Sequence, residues 1–281
     1  MISIVPMRSQ DLSFAVRLSN QEKWGTPRSD FERILWLNPR GSFLALESNS
    51  RIGMITTVAF GEDLAWIGNV IVDNQFRGRH IGQSLVEHAV AYLKSIRVKC
   101  VGLYCFSNNV GFYDKLGFVK GSEFVRLRKD DKLTYPIAQE FSKPLTLSRL
   151  IEIDRKCFGA DRSKLLRALI QTSHGTYFGF SNRKSAAYLV IKKYADMYDF
   201  GPGVGINASK VQLAALLSMG IRLARKRPIE LSCFAKNRTI LRLLEERGFR
   251  MINKGYRMFL NRRARLANDR ENYLLGFLDK G

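Results

Sequence analysis

A short basic segment with two glycines, FRGRHIG at residues 76–82, carries the residue types that bind phosphate groups. Apolar residues at helical spacing follow it, so the segment would open a helix. The first amides of a helix lack intrahelical partners and carry partial positive charge, which suits an anion such as a pyrophosphate. Arg77 and Arg79 add full charges, and Gly82 has no Cβ to keep a phosphate from the backbone. The segment therefore predicts a phosphate-binding loop, although it matches neither Gly-Lys-Ser/Thr nor Gly-x-Gly-x-x-Gly.

Alternating strands and helices are predicted on both sides of this loop. Apolar and β-branched stretches predict strands at 43–48, 51–60, 64–72 and 99–105. Helical spacing predicts helices at 81–96 and 111–118, and two more within 11–37, broken near Gly25 and Pro27. We expect the strands at 64–72 and 99–105 to diverge and leave a cleft at their carboxyl ends.

The second half repeats this order of elements. Helices are predicted at 146–158, 162–170, 209–226 and 237–248, and strands at 176–182, 185–193, 197–206 and 228–234. YDKLGFVKG at 113–121 aligns with LEERGFRMI at 244–252, which places Phe118 and Phe249 131 residues apart. The repetition predicts two α/β domains, 1–135 and 145–281, each with a mostly antiparallel mixed sheet flanked by helices. The polar segment 128–144 is the predicted linker.

The positive charge is concentrated in the second half. The chain has 46 basic and 25 acidic residues, and residues 141–281 hold 28 of the basic and 11 of the acidic ones. A field of this kind attracts polyanions and anionic small molecules. Nucleic acid is therefore a candidate partner, although no DNA- or RNA-recognition motif is present.

Composition excludes several classes of protein. Hydrophobic residues make up 46% of the chain, as in ordinary globular proteins. No apolar run reaches the roughly 18 residues of a membrane span, and the first residues lack a basic secretory leader. Four scattered cysteines and three histidines show no zinc spacing, so they predict buried thiols in a reducing cytoplasm. We expect a cytoplasmic protein with no metal and no membrane contact.

The loop and its flanks resemble a known family motif. VIVDNQFRGRHIGQSLVEHA at 70–89 is similar to motif A of the GNAT superfamily of N-acetyltransferases, Arg/Gln-x-x-Gly-x-Gly/Ala, which holds the pyrophosphate of acetyl-coenzyme A. Arg77 takes the first position and Gly82 the last, while His80 stands where the middle glycine is usual. The resemblance implies acetyl-coenzyme A as co-substrate, with no metal.

A second motif follows in the order that the family has. FSNNVGFYDKLGF at 106–118 resembles the closing segment Phe-Tyr-x-x-Leu-Gly-Phe, whose tyrosine protonates the departing thiolate. That role transfers to Tyr113, because an ordinary tyrosine pKa of ~10 is close to that of an alkyl thiol. The alternative is that Tyr113 only packs beneath the coenzyme.

The resemblance also implies a site and a reaction. It assigns coenzyme contacts to Val70, Ile71, Val72, Arg77, Gly78, Arg79, His80, Ile81, Gly82, Gln83 and Asn109. Pantetheine would lie along Val70–Val72, and a primary amine of a small molecule or a protein would attack the thioester directly in a ternary complex. Glu62 and Asp63 are the candidate bases, with surface turn residues as the alternative. Cys105 offers an acyl-cysteine route, but nothing near it in the sequence marks an activated thiol.

Over nearly the whole chain the resemblance extends to a tandem subgroup of the superfamily, with a diverged second copy. Leu244 stands opposite Tyr113, and GPGVGINASK at 201–210 lacks the arginine loop, so we expect no coenzyme there. The second copy would wall off the acceptor cleft, or Gly201, Gly203 and Gly205 would bind an anionic part of the substrate. Two further functions stay open: a nucleic-acid or ribosome-associated protein on a GNAT scaffold, and a coenzyme A sensor without turnover.

Overall fold

The computed structural model describes residues 1–130, 133–137, 145–171, 175–194, 196–225, 227–261 and 269–281. Within these ranges the helices of the first half are α1 (Leu12–Gln21), α2 (Arg28–Leu37), α3 (Ile81–Ser95) and α4 (Val110–Asp114). Its strands are β1 (Ile2–Pro6), β2 (Phe43–Glu47), β3 (Ser50–Phe60), β4 (Leu64–Val72), β5 (Val101–Phe106) and β6 (Val119–Lys129).

The second half repeats the order of elements from α1 to β6. Its helices are α5 (Leu147–Phe158), α6 (Ser163–Ile170), α7 (Lys210–Leu223) and α8 (Arg238–Glu245). Its strands are β7 (Gly175–Ser181), β8 (Ala186–Lys193), β9 (Tyr198–Ile206), β10 (Ile229–Phe234), β11 (Arg250–Leu260) and β12 (Asn272–Leu274). The predicted helices and strands are confirmed, with bounds that differ by a few residues. Of the predicted linker, residues 128–129 end β6, and residues 131–132 and 138–144 lie outside the described ranges.

The strands form one mixed sheet rather than two separate sheets. Across the described residues its order is β1-β2-β3-β4-β5-β11-β6-β10-β9-β8-β7, and β12 pairs with β9. The two copies exchange strands at the centre, because β11 lies between β5 and β6 while β6 lies between β11 and β10. β6 and β11 pair antiparallel, with Phe124 opposite Gly255. The apolar pattern of each strand is the same whether or not β6 and β11 are exchanged. The sequence patterns therefore predicted the strands, but not that the two copies share one sheet.

Each copy contains one parallel pair of strands, and the first of these positions the site. Ala65–Ile67 of β4 pair with Val101–Leu103 of β5, and the pairing stops there. The predicted divergence of these two strands is therefore confirmed. In the second copy, Tyr198–Phe200 of β9 pair with Ile229–Leu231 of β10 over the same short length.

Helices cover both faces of the sheet. α1, α2, α5 and α6 share one core with Trp66, while α3 packs over Ala65 and Ile67 on the opposite face. α7 and α8 pack on the second copy's strands. Because successive residues of a strand point to opposite faces, β4 is buried on both sides, and this holds the strand that borders the cleft in place.

None of the helices in the described ranges has the length and apolar content to cross a bilayer. All four cysteines are buried, as predicted. The described residues contain no group of three or more His, Cys, Asp or Glu side chains placed to hold a metal ion.

Candidate active site

A cavity of about 1170 Å³ opens where β4 and β5 diverge. Gly68–Val72 line it along the edge of β4 that β5 no longer pairs. At Asn69 the backbone has φ 50°, and β4 carries one extra residue relative to β3 there. Such a bulge redirects backbone groups and is frequent beside active sites. The edge of β4 therefore offers backbone hydrogen-bonding groups to a ligand in the cavity.

The first turn of α3 faces the same cavity, which Ile81, Gly82 and Gln83 line. His80 precedes the helix at φ 58°, and its side chain does not cap it. A Cβ on Gly82 would meet the Phe112 ring at 3.6 Å, an ordinary contact, so the glycine leaves open space beside the helix-start amides. The predicted phosphate-binding geometry is thus present at the cavity, and the residues there fit a pyrophosphate.

The two predicted phosphate-binding arginines differ in position. Arg77 lines the cavity, donates through Nε to the Val72 carbonyl at 3.0 Å, and forms an ion pair with Glu22 from the segment after α1. Arg79 does not line it, because its guanidinium donates to Glu47 of β2 at 2.5 and 3.1 Å. Of the two side chains, only Arg77 is within the cavity that a coenzyme would enter.

Tyr113 and Cys105 lie side by side in the cavity wall, and Asn109 lines the cavity just before α4. Tyr113 is 8% exposed and packs edge-on against Phe112 and Phe118. Burial, with a smaller contribution from Cys105, raises the Tyr113 pKa well above its usual value, so the hydroxyl keeps its proton at neutral pH.

The Cys105 thiol is held in its protonated form. Burial raises the pKa of Cys105 to about 11, and its Sγ lies 3.4 Å from Met258 Sδ. A nucleophilic cysteine needs a lowered pKa, so this environment does not favour an acyl-cysteine route.

Glu62 and Asp63 lie outside the cavity. They form the turn between β3 and β4, at the opposite end of β4 from Val70–Val72. Asp63 and Val70 are seven residue steps apart along the chain, which is roughly 20 Å at about 3.3 Å per step. The Asp63 carboxylate accepts from Lys99 Nζ at 2.8 Å. The two carboxylates are therefore surface turn residues outside the candidate site.

Residues 276–281, from the second half, pack directly on β4 beside the cavity. Trp66 Nε1 donates to the Leu278 carbonyl at 3.4 Å, and Asn69 Nδ2 donates to Asp279 Oδ2 at 3.1 Å. A Cβ on Gly68 would lie 2.6 Å from the Asp279 Cα, so only glycine permits this approach. No sequence pattern predicted this segment at the site, and a glycine within a strand was the one local sign of a close backbone neighbour.

A cluster of buried charges forms part of the cavity wall. Lys280 Nζ is 2.8 Å from Asp279 Oδ2 and 3.5 Å from Asp30 Oδ2, and Lys280 is 1% exposed. Burial raises the Asp30 pKa, but Lys280, Arg33 and Lys192 outweigh it and lower that pKa to about 2. Burial also lowers the pKa of Lys192, whose ammonium donates to the Gly276 carbonyl at 2.8 Å. The Lys280–Asp30 ion pair and the Lys192–Gly276 hydrogen bond attach residues 276–281 to α2 and β8.

β6 and the second copy supply the wall opposite β4. Arg126 of β6 donates to Glu230 of β10 at 2.7 Å and to Asp199 of β9 at 3.4 Å. Arg128 donates to Glu230 at 3.0 Å. The cavity is thus shared between the two copies, with the predicted coenzyme loop on one side and the paired charges of β6, β9 and β10 on the other.

In the second copy the gap between β9 and β10 is occupied by a later segment of the same chain. β12 pairs along β9, and the Gly205 N–H donates to the Glu271 carbonyl at 2.8 Å. A Cβ on Gly201 would lie 3.0 Å from the Leu275 carbonyl carbon, and Gly203 lies beneath Tyr273 and Leu274. Residues 271–276 thus cover all three glycines, and the alternative in which these bind an anion finds no open site.

Two family models match the chain. The model of the acetyltransferase (GNAT) family matches residues 12–118, and a second GNAT acetyltransferase domain model matches residues 150–274. The two matches confirm the tandem arrangement that the sequence repeat predicted. A comparison with curated proteins finds no match.

Several solved structures resemble the chain over nearly its whole length. A provisionally identified acetyltransferase from Pyrococcus horikoshii is 22% identical with a TM-score of 0.82, and the match covers 100% of this chain and 96% of that one. A GCN5-related N-acetyltransferase from Sphaerobacter thermophilus is 15% identical with a TM-score of 0.65, over 95% and 98% of the two chains. A tandem GNAT protein from the clavulanic acid biosynthesis pathway is 12% identical with a TM-score of 0.68, over 92% and 98%. At these identities the likeness shows the fold.

Proposed function

Because family models match both halves, the chain belongs to the GNAT acetyltransferase family, and we propose that its first copy transfers an acetyl group from acetyl-coenzyme A to a primary amine. The observation that carries the proposal is one cavity that joins the unpaired edge of β4 to the first turn of α3. An extended thiol arm can pair with the strand edge while its pyrophosphate reaches the helix start. The second copy offers no such space, because β12 fills it.

The proposed coenzyme contacts follow the cavity lining. Pantetheine lies along Val70–Val72 like an added strand, and the pyrophosphate meets the amides of Ile81–Gln83. When the coenzyme binds, Arg77 leaves Glu22 and pairs with the phosphates, which carry more negative charge than one carboxylate. Gly78, His80 and Asn109 complete the lining near the coenzyme. Arg79, which Glu47 holds outside the cavity, is left out of these contacts.

The proposed chemistry uses direct attack. A backbone N–H near the bulge of β4 polarises the thioester carbonyl, and the neutral amine attacks the acetyl carbon. Tyr113 lines the cavity with a hydroxyl that is protonated at neutral pH, and it donates that proton to the departing sulfur. On the acceptor side the cavity is closed by β6 of the first copy together with β9 and β10 of the second copy.

The test is an assay of acetyl transfer to a panel of primary amines. The release of the coenzyme A thiol measures the turnover. We expect turnover by the wild type and a higher KM for acetyl-coenzyme A in Arg77→Gln. Arg79→Gln is the matched control, since its guanidinium does not line the cavity, and its KM should stay within twofold. Coenzyme binding without turnover of any amine would support a sensor instead.

A polyanion is the alternative partner that the charge of the second half supports. Arg222 and Arg225 near the end of α7 are exposed, while Lys226 lies outside the described residues. Binding to a nucleic acid through such residues would weaken steeply between low and moderate salt. A single-stranded RNA binding series across salt concentrations separates this function from acetyl transfer.

A further inference from the structure

We propose that Asp279, which the second copy delivers to the bulge of β4, is the catalytic base that binds and deprotonates the acceptor amine. The inference rests on the proposed acetyl transfer and names a residue for a step that the sequence assigned to Glu62 and Asp63. A carboxylate at this place would make the second copy a direct participant in the reaction.

The position of Asp279 supports the role. It lines the cavity, and its Oδ2 accepts from Asn69 Nδ2 at 3.1 Å. Asn69 immediately precedes the stretch of β4 along which we place the pantetheine arm, so the thioester end of that arm would lie beside Asp279. The glycine at 68 brings the Asp279 backbone against the strand with no side chain between them.

The other carboxylates that line the cavity are committed elsewhere or lie at its exposed edge. Five belong to this group: Glu22 with Arg77, Asp30 with Arg33, Asp199 with Arg126, Glu230 with Arg126 and Arg128, and the exposed Asp196. Among the described residues, both hydrogen bonds of the Asp279 carboxylate, from Asn69 and Lys280, end on Oδ2. Its Oδ1 is left for an ammonium in the cavity.

The charged and titratable groups around Asp279 come from several elements. Lys280 is the nearest, and it is shared with Asp30 of α2. Tyr194, after β8, donates to Asp30 at 3.2 Å, and Lys192 of β8 is close to the same cluster. Lys280 balances the Asp279 charge, and the pairing with Asp30 holds that ammonium in place. The carboxylate is therefore fixed by its neighbours rather than free to rotate.

Each proton in the proposed reaction has a donor and an acceptor. The amine arrives as an ammonium, and Asp279 accepts one of its protons. The freed lone pair forms the N–C bond to the acetyl carbon, the C–S bond breaks, and the sulfur takes the Tyr113 proton. The new amide nitrogen loses its second proton, which returns through solvent to the Tyr113 oxygen. Asp279 then releases its proton to water, and the net products are the amide, free thiol and one proton.

The experiment measures kcat/KM for the best amine of the panel from pH 6 to 9, in wild type, Asp279→Asn and Asp196→Asn. At pH 7 roughly one part in a thousand of an amine with a pKa near 10 is neutral. A variant without its base depends on that fraction, so we expect a loss of about 10²–10³-fold at pH 7 that shrinks about tenfold per pH unit. Wild type and Asp196→Asn should stay nearly flat.

A measurement of amine binding tests the role of Asp279 even if no amine of the panel is acetylated. Calorimetry with n-butylamine and coenzyme A-saturated protein should show amine affinity at least tenfold weaker in Asp279→Asn, with coenzyme A affinity unchanged. Equal butylamine affinity in both proteins, or a loss of rate that is the same at every pH, would overturn the role of Asp279. Absence of turnover in the wild type would instead refute the proposed function, and the butylamine titration would still decide on Asp279.

Discussion

The change Gly82→Ala should make the protein more stable and its coenzyme binding weaker. Gly82 is the second residue of α3, and its φ is not in the left-handed region, so alanine fits the backbone. The new Cβ would lie 3.6 Å from the Phe112 ring and 3.8 Å from Val72, which are ordinary contacts. Alanine is the better helix former by up to about 1 kcal/mol. For a chain of this size we expect the melting temperature to rise by roughly 1–4 °C.

The same methyl group would stand in the cavity beside the helix-start amides. A pyrophosphate that can no longer reach one of them loses a charge-assisted hydrogen bond of about 1.5–3 kcal/mol. This corresponds to a Kd for acetyl-coenzyme A that is roughly 10- to 150-fold higher. Calorimetry gives the Kd, and differential scanning fluorimetry gives the melting temperature.

The matched control for this prediction is Gly111→Ala. Gly111 is the second residue of α4, a Cβ there meets nothing within 4 Å, and Gly111 does not line the cavity. Its Kd for acetyl-coenzyme A should equal that of the wild type. If Gly82→Ala also binds the coenzyme within twofold of wild type, the start of α3 is not the pyrophosphate site and the reasoning fails.

Three further predictions concern other parts of the site. Glu22→Gln removes the ion-pair partner of Arg77, and such a partly exposed pair contributes up to about 1 kcal/mol. Acetyl-coenzyme A should therefore bind up to fivefold more tightly. Weaker binding in a titration would contradict the proposal that Arg77 leaves Glu22 for the phosphates. Tyr113→Phe should lower kcat about a hundredfold or more with an unchanged coenzyme Kd, and full turnover would remove Tyr113 from the role of acid. Asp30 has a pKa lowered to about 2, so its ionisation adds about 2 kcal/mol to the unfolding free energy above pH 4, and this is lost as pH falls toward 2. Urea unfolding should therefore show that Asp30→Asn is less stable than wild type at pH 7 by an amount that shrinks between pH 4 and pH 2, and a constant difference would contradict the assignment.

The features of the site that lie close together in the sequence could be predicted. The strand that ends at Val72, the loop at 76–82 and helix α3 follow one another, so local patterns placed them together. The divergence of β4 from β5 was expected from the ligand clefts that open α/β sheets commonly have, rather than from a local pattern. Arg79 shows the limit of this approach, because two arginines one residue apart point in different directions and Glu47 takes one of them.

Contacts between distant parts of the chain could not be predicted in this way. β6 and β11 can each pair within their own copy or with strands of the other copy. Both arrangements bury the same residues, so the sequence pattern does not distinguish them. Asp279 reaches Asn69 across 210 positions of sequence, and the space that Gly68 leaves does not identify its occupant. The sequence repeat indicated that the second copy had lost its loop, but not that β12 fills the equivalent cleft.

Calorimetric titration of acetyl-coenzyme A into wild type and Arg77→Glu at moderate salt tests the central claim most directly. One binding site per chain is predicted, with micromolar affinity that the variant loses, because the first copy has an open cleft and β12 closes the second. Two sites per chain, or binding that Arg77→Glu leaves intact, would contradict the assignment of the coenzyme to the first copy.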